Sequence, residues 1–161
     1  MTRTIIVSGL LLFALGCSQE QQAQDTPAPA EAKAGAEAPA AVLERTPAAE
    51  GARVFFISPT DGDTVSNPIR VEFGIERMDV VRAGVDQPHS GHHHLLINTG
   101  LPDLAMPIPA DEQHIHFGDG STSTEITLPP GEHTLSMLLG DHRHIPHDPP
   151  LVSESITITV E

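Results

Sequence analysis

The sequence predicts an all-β domain, a small sandwich of two packed sheets, and three observations carry that prediction. From residue 53 onward apolar and polar residues alternate with period two. Clusters of Gly, Pro and Asp interrupt the alternation at short intervals, as turns between short strands do. No stretch of the same region sustains a helical period or opens on a helix cap followed by one.

The elements follow in chain order. Residues 1–16 read as a secretory signal, with Arg3 as the positive region and Ile5 to Leu15 as the apolar run. That run is shorter than the roughly 20 apolar residues a bilayer-spanning helix needs. Cys17 follows at once and is the single cysteine, so no disulfide explains it. Residues 17–50 hold that cysteine and a low-complexity tract of Ala, Pro, Glu and Gln. Such a tract buries too little surface to offset its ordering entropy, and the expectation is a disordered tether. Residues 51–161 are then the folded domain, enough for one modest core.

Within that domain Val54-Phe55-Phe56-Ile57 is the first strand, stopped by Ser58-Pro59-Thr60-Asp61-Gly62. Ile69, Val71, Phe73 and Ile75 alternate with Arg70, Glu72 and Gly74, a strand with one face in the core. A weaker strand runs through Met78 to Arg82, and His92 to Asn98 forms another before a Pro-rich connection. His114 to Phe117 is short and is turned by Gly118-Asp119-Gly120. Thr122 to Leu128 follows, then Pro129-Pro130-Gly131 as a turn. His133, Leu135, Met137 and Leu139 alternate with Thr134, Ser136 and Leu138. A Pro-rich loop over 145–150 leads to the closing strand, 155–160. Seven or so short strands in this length suggest an immunoglobulin-like sandwich.

Several segments carry resemblances. Ala14-Leu15-Gly16-Cys17 resembles a bacterial lipobox, with Ala14 where Leu is more usual, which implies lipidation at Cys17. Ser18 in the next position implies the outer membrane, facing the periplasm, with the membrane met only through that anchor. PTDGDTVSNPIRVEFGI and PPGEHTLSMLLGD…SESITITV look like the opening hairpin and last two strands of immunoglobulin-like and fibronectin-III-like domains. GHHHLLI at 91–97, PADEQHIHFGDG at 109–120, PGEHTL at 130–135 and LGDHRHIPHDPP at 139–150 resemble DUF4399. That exported bacterial family is known only as a domain of unknown function, so the resemblance implies a class and no activity.

Charge narrows the partners. The whole chain carries a formal −14, and residues 51–161 hold sixteen acids against five arginines and no lysine, −11. Such a surface repels phosphate backbones and attracts cations, which excludes nucleic acid. With no Trp and no Tyr, the aromatic platforms that grip sugars are missing, which argues against carbohydrate.

All ten histidines fall between His89 and His147. His92 and His94, His114 and His116, and His142 and His144 repeat at two residues. On a strand such pairs point the same way, roughly 7 Å apart. Ile115 and Phe117 take the core side of 114–117, so His114 and His116 face away from it. By the same parity His142 and His144 face outward if their strand continues past Gly140, whereas 92–98 is ambiguous because Leu95 with Ile97 and Leu96 compete for the core. In an immunoglobulin-like order the three segments are strands C, C′ and F, neighbours about 4.8 Å apart in one sheet.

The candidate metal ligands are therefore His92, His94, His114, His116, His142, His144 and His147, with Asp141 at the rim. Neutral imidazole without thiolate suits Cu(II) first and Zn(II) second. His89 and His133 lie outside the pairs, and His93 points opposite to its neighbours. The competing reading is a hydrogen-bonded imidazole network that stiffens a non-catalytic module for an envelope protein partner.

HIHFGDG also resembles the copper-ligand strand of copper/zinc superoxide dismutases, but their intradomain disulfide has no counterpart here. No Ser sits in a Gly-x-Ser-x-Gly elbow, and nothing in the sequence demands an enzyme or an organic cofactor.

Overall fold

The computed structural model describes residues 43–161. The signal and Cys17 lie outside the described residues. Nine strands follow one another: β1 (Arg53–Ser58), β2 (Thr64–Val65), β3 (Ile69–Glu76), β4 (Asp79–Val80), β5 (Ser90–Ile97), β6 (His114–His116), β7 (Ser123–Ile126), β8 (Gly131–Gly140) and β9 (Ile156–Val160). The described residues contain no helix. One sheet has the order β1-β3-β7. The other runs β2-β9-β8-β5-β4, with β6 also paired to β5. This is an all-β sandwich, and β5 lies between β6 and β8, the neighbours expected for a strand C between C′ and F.

Period-two patterning builds the core. Ile69, Val71 and Phe73 of β3, Leu135, Met137 and Leu139 of β8, and Ile156, Ile158 and Val160 of β9 point between the sheets and are buried. Removing such side chains from water contributes about 1.5–3 kcal/mol each. Register settles the parity of β5. Leu95 is paired with Met137 and with Ile115, and both Leu95 and Ile97 join the core between the sheets. His92, His94 and Leu96 are thereby sent to the outer face of the larger sheet.

That outer face is covered. Leu96 and Leu138 pack with Ile108 in a second cluster, against which Val152 is laid. The chain on either side of Ile108 and the return from β8 to β9 close over it. They are held by bonds such as Ile108 N–H to the His144 carbonyl (2.8 Å) and Leu139 N–H to the Leu151 carbonyl (3.0 Å). All eight residues of β5 are buried on both sides in consequence.

The domain begins earlier than residue 51. Residues 44–50, placed in the tether by composition, lie against the fold: Ala48 and Ala49 pack on the core, and Thr46 and Ala48 exchange backbone hydrogen bonds with Asp148. Small residues can be buried without a large apolar side chain, and backbone groups need no particular sequence to pair. A low-complexity composition therefore hides such a segment.

Candidate metal centre

Three elements bring histidines to the covered outer face. His94 and His116 are directly opposite each other on β5 and β6, while His92 lies opposite Gly140 on β8. His92, His94 and His116 each offer a ring nitrogen, and these atoms all lie within 4.8 Å of one another. Ring centroids are 4.8 Å apart for His92 and His94, 4.9 Å for His92 and His116, and 5.1 Å for His94 and His116. His144 reaches in from the loop after β8. Its centroid is 4.8 Å from both His92 and His116 and 6.0 Å from His94.

Two glycines make room for these rings. A Cβ on Gly140 would come within 2.9 Å of His94 Cε1 and 3.2 Å of Ile108 Cδ1. A Cβ on Gly118 would overlap the His116 ring itself. Gly140 therefore serves less to break the strand than to let an imidazole lie across it.

The rings are desolvated without compensation. His92 and His94 are 0 % exposed. Both ring nitrogens of each, and Nε2 of His116, are buried with no hydrogen-bond partner among the described residues. A buried polar group left unpaired costs roughly 1–3 kcal/mol. Burial, then the neighbouring imidazoles, pushes His92 down to about 3 and His94 down to about 2. Burial and then His144 lower His116 too. All three rings are neutral imidazoles near neutral pH, the form that donates a lone pair to a metal. The set suits a borderline ion that accepts nitrogen, such as Cu(II) or Zn(II).

The other candidates are placed elsewhere. His114 shares the outward face of β6 with His116, but it is paired with Leu96, and its Nδ1–H donates to Asp111 Oδ1 (2.8 Å). His142 and His144 are not a strand pair, because β8 ends at Gly140 and the chain turns. His142 faces Asp86 (3.5 Å), while His144 enters the cluster. His147 is fully buried and donates from Nε2 to the Ser90 carbonyl (3.1 Å).

Asp141 is an organiser of the turn. Burial works against its ionisation, yet donors from Thr46, Ile145 and Arg143 hold its carboxyl below the ordinary range. With both oxygens engaged, it acts on the cluster as a nearby negative charge, felt at His92.

His93 faces inward, as its parity requires, with its ring 4.7 Å from that of Phe73. Its nitrogens are as unpartnered as those of its neighbours, and burial lowers it to about 4. An orphaned imidazole is thus insufficient by itself; convergence of three distinguishes the outer face. His133 shows the satisfied alternative. Its Nδ1 accepts from the Asn98 amide (2.8 Å) and its Nε2–H donates to the Pro129 carbonyl (2.9 Å). No sequence signal separated His144 from His142, since their split depends on a turn.

The sequence model of one family, described as "Domain of unknown function (DUF4399)", matches residues 71–161. No curated protein matches the chain. Among solved structures, the chain is similar to the fibronectin(III)-like modules of CbhA from Clostridium thermocellum, at 10% identity. The TM-score is 0.36, covering 66% of this chain and 92% of that one.

Proposed function

The chain belongs to the family described as a domain of unknown function, DUF4399, and we propose that it binds one transition-metal ion through His92, His94 and His116. One observation carries the reading: five buried ring nitrogens on three convergent neutral imidazoles have no hydrogen-bond partner among the described residues. The network reading needs those nitrogens to bond one another or nearby carbonyls, as His133 does, and on the outer face of β5 they do not. An ion coordinated by them would offset the desolvation that the fold imposes.

Cu(II) and Zn(II) are the ions this donor set suits. Because the rings are already neutral, protons compete weakly for their lone pairs. The acidic domain surface draws cations toward the site. In the cell the module would stand at the periplasmic face of the outer membrane, anchored through Cys17, and would buffer, deliver or sense the ion.

The test is titration of the metal-stripped full chain with Cu(II) and with Zn(II), followed by elemental analysis. About one equivalent of tightly held ion is expected, lost in His94→Ala and in His116→Ala. Weak binding of several equivalents, unchanged by either substitution, would sink the proposal and leave the rings as scaffold.

A further inference from the structure

His92, His94 and His116 are fixed by strand register, but His144 sits on a loop and must be held by other contacts. Residues 44–48 supply them as a strap laid along that loop. The Arg45 guanidinium donates to the carbonyls of Pro146 (2.9 Å) and His147 and pairs with Asp148 (3.3 Å). Asp148 N–H donates to the Thr46 carbonyl (2.9 Å), and Ala48 N–H returns a bond to the Asp148 carbonyl (3.0 Å). From the loop side, the Arg143 guanidinium donates to the Glu44 carbonyl (2.6 Å).

The strap reaches His144 through one carboxylate. The Thr46 hydroxyl donates to Asp141 Oδ2 (2.7 Å), and Asp141 Oδ1 accepts the N–H groups of Arg143 (2.8 Å) and Ile145 (2.9 Å), the residues flanking His144. Asp141 is 1 % exposed, so these bonds are shielded from water. His144 itself has φ +68°, its N–H bonded to the Asp141 carbonyl (2.9 Å) and its carbonyl to Ile108 N–H (2.8 Å). A non-glycine residue keeps such a backbone where its surroundings over-determine it.

We propose that Arg45 and Thr46 are positioning residues of the metal site. Thr46 acts through Asp141, and Arg45 pins the chain just after His144 by the Pro146 and His147 carbonyls; together they hold His144 as the fourth imidazole that closes over an ion on His92, His94 and His116. This rests on the metal reading above. It makes the last residues before the sandwich a working part of the site, although they precede the 71–161 family match. Loosening the strap would leave a three-imidazole site that releases its ion faster.

The experiment is a double-mutant cycle in the full chain. Zn(II) affinity is read by competition with a chromophoric chelator, and coordination from the visible absorption of the Co(II)-loaded protein. Thr46→Val and Arg45→Met are each expected to weaken Zn(II) about tenfold and to change the Co(II) spectrum in the direction that His144→Ala changes it. Thr46→Ser, which keeps the hydroxyl, should restore both. In the His144→Ala background the strap substitutions should cost nothing further.

Equal losses with and without His144, or a Thr46→Ser variant as weak as Thr46→Val, would overturn the strap's role while leaving the metal site standing. A native chain that binds none of Zn(II), Co(II) and Cu(II) would overturn both readings together. Thermal midpoints of the metal-free variants report whether each is folded, and Arg45→Met provides a second route that spares Asp141's bond to Thr46.

Discussion

Acidification from pH 7.5 to 5.5 should strip the metal-free domain of about 4 kcal/mol of stability, and the histidines of β5 are the reason. Burial lowers His92 to about 3, His93 to about 4 and His94 to about 2 in the folded chain, against an unfolded value near 6.5. Between those limits the unfolded chain binds more protons than the folded one, so stability rises with pH and is lost as pH falls below 6.5. At pH 5.5 each of the three groups costs about 1.4 kcal/mol, and together about 4. His116 and His147 shift in the same direction and add to the effect. The lowered carboxyls of Asp111 and Asp141 lose their stabilising contribution only as pH falls below about 4, and leave this window clear.

Since a domain has only about 5–15 kcal/mol in total, the loss should be plain in urea unfolding followed by far-ultraviolet circular dichroism at pH 7.5, 6.5 and 5.5. The midpoint is expected to fall steeply across that series with little change in slope. A midpoint at pH 5.5 equal to that at 7.5 would refute the reasoning, because histidines desolvated as described cannot be indifferent to protons. One equivalent of Zn(II) should raise the midpoint at every pH of the series, as a ligand of the folded state alone must.

Other expectations follow from individual contacts. His93→Leu removes an unpaired imidazole from the core and should stabilise the domain, by roughly 1–3 kcal/mol at pH 7.5 and by more at pH 5.5, with Zn(II) affinity unchanged in the same competition assay. Gly140→Ala places a methyl against the His94 ring and Ile108. It should weaken metal binding about tenfold, roughly 1.4 kcal/mol, in a chain that keeps every ligand; affinity equal to the native chain's would show that His94 is not held there. His133→Ala deletes two hydrogen bonds remote from the cluster. A loss of about 1–3 kcal/mol in unfolding free energy from urea titration, with unaltered metal stoichiometry, is expected. Between pH 7.5 and 5.5 the metal should meet no proton competition at His92 and His94, which carry no proton to displace; an affinity loss of about three or more decades per pH unit would contradict their burial.

Much of this was legible in the residues. Alternation over 69–75, 135–139 and 155–160 specified strands and their inner faces, because a strand's side chains must alternate whatever lies around it. The outward aim of His114 and His116 followed from Ile115 and Phe117 by the same rule. The local rule was silent where both faces of a strand are buried. On β5 the competition between Leu96 and the pair Leu95 and Ile97 is decided by register with Met137 and Ile115, and the loser, Leu96, found a second small cluster instead of water.

Tertiary structure also decided which members of each pair meet. His94 and His116 converge because antiparallel register sets them opposite, and the same register sets His114 opposite Leu96, two residues along. His142 and His144 part because β8 stops at Gly140 and a buried Asp141 gathers the following N–H groups into a turn. The composition of residues 44–50 suggested a tether, yet backbone pairing with Asp148 draws them into the fold. Sequence by itself determined periodicity, the charge and the supply of imidazoles, since these are local properties of the chain. Convergence depends on which distant segments share a register, and only the packed structure fixes that.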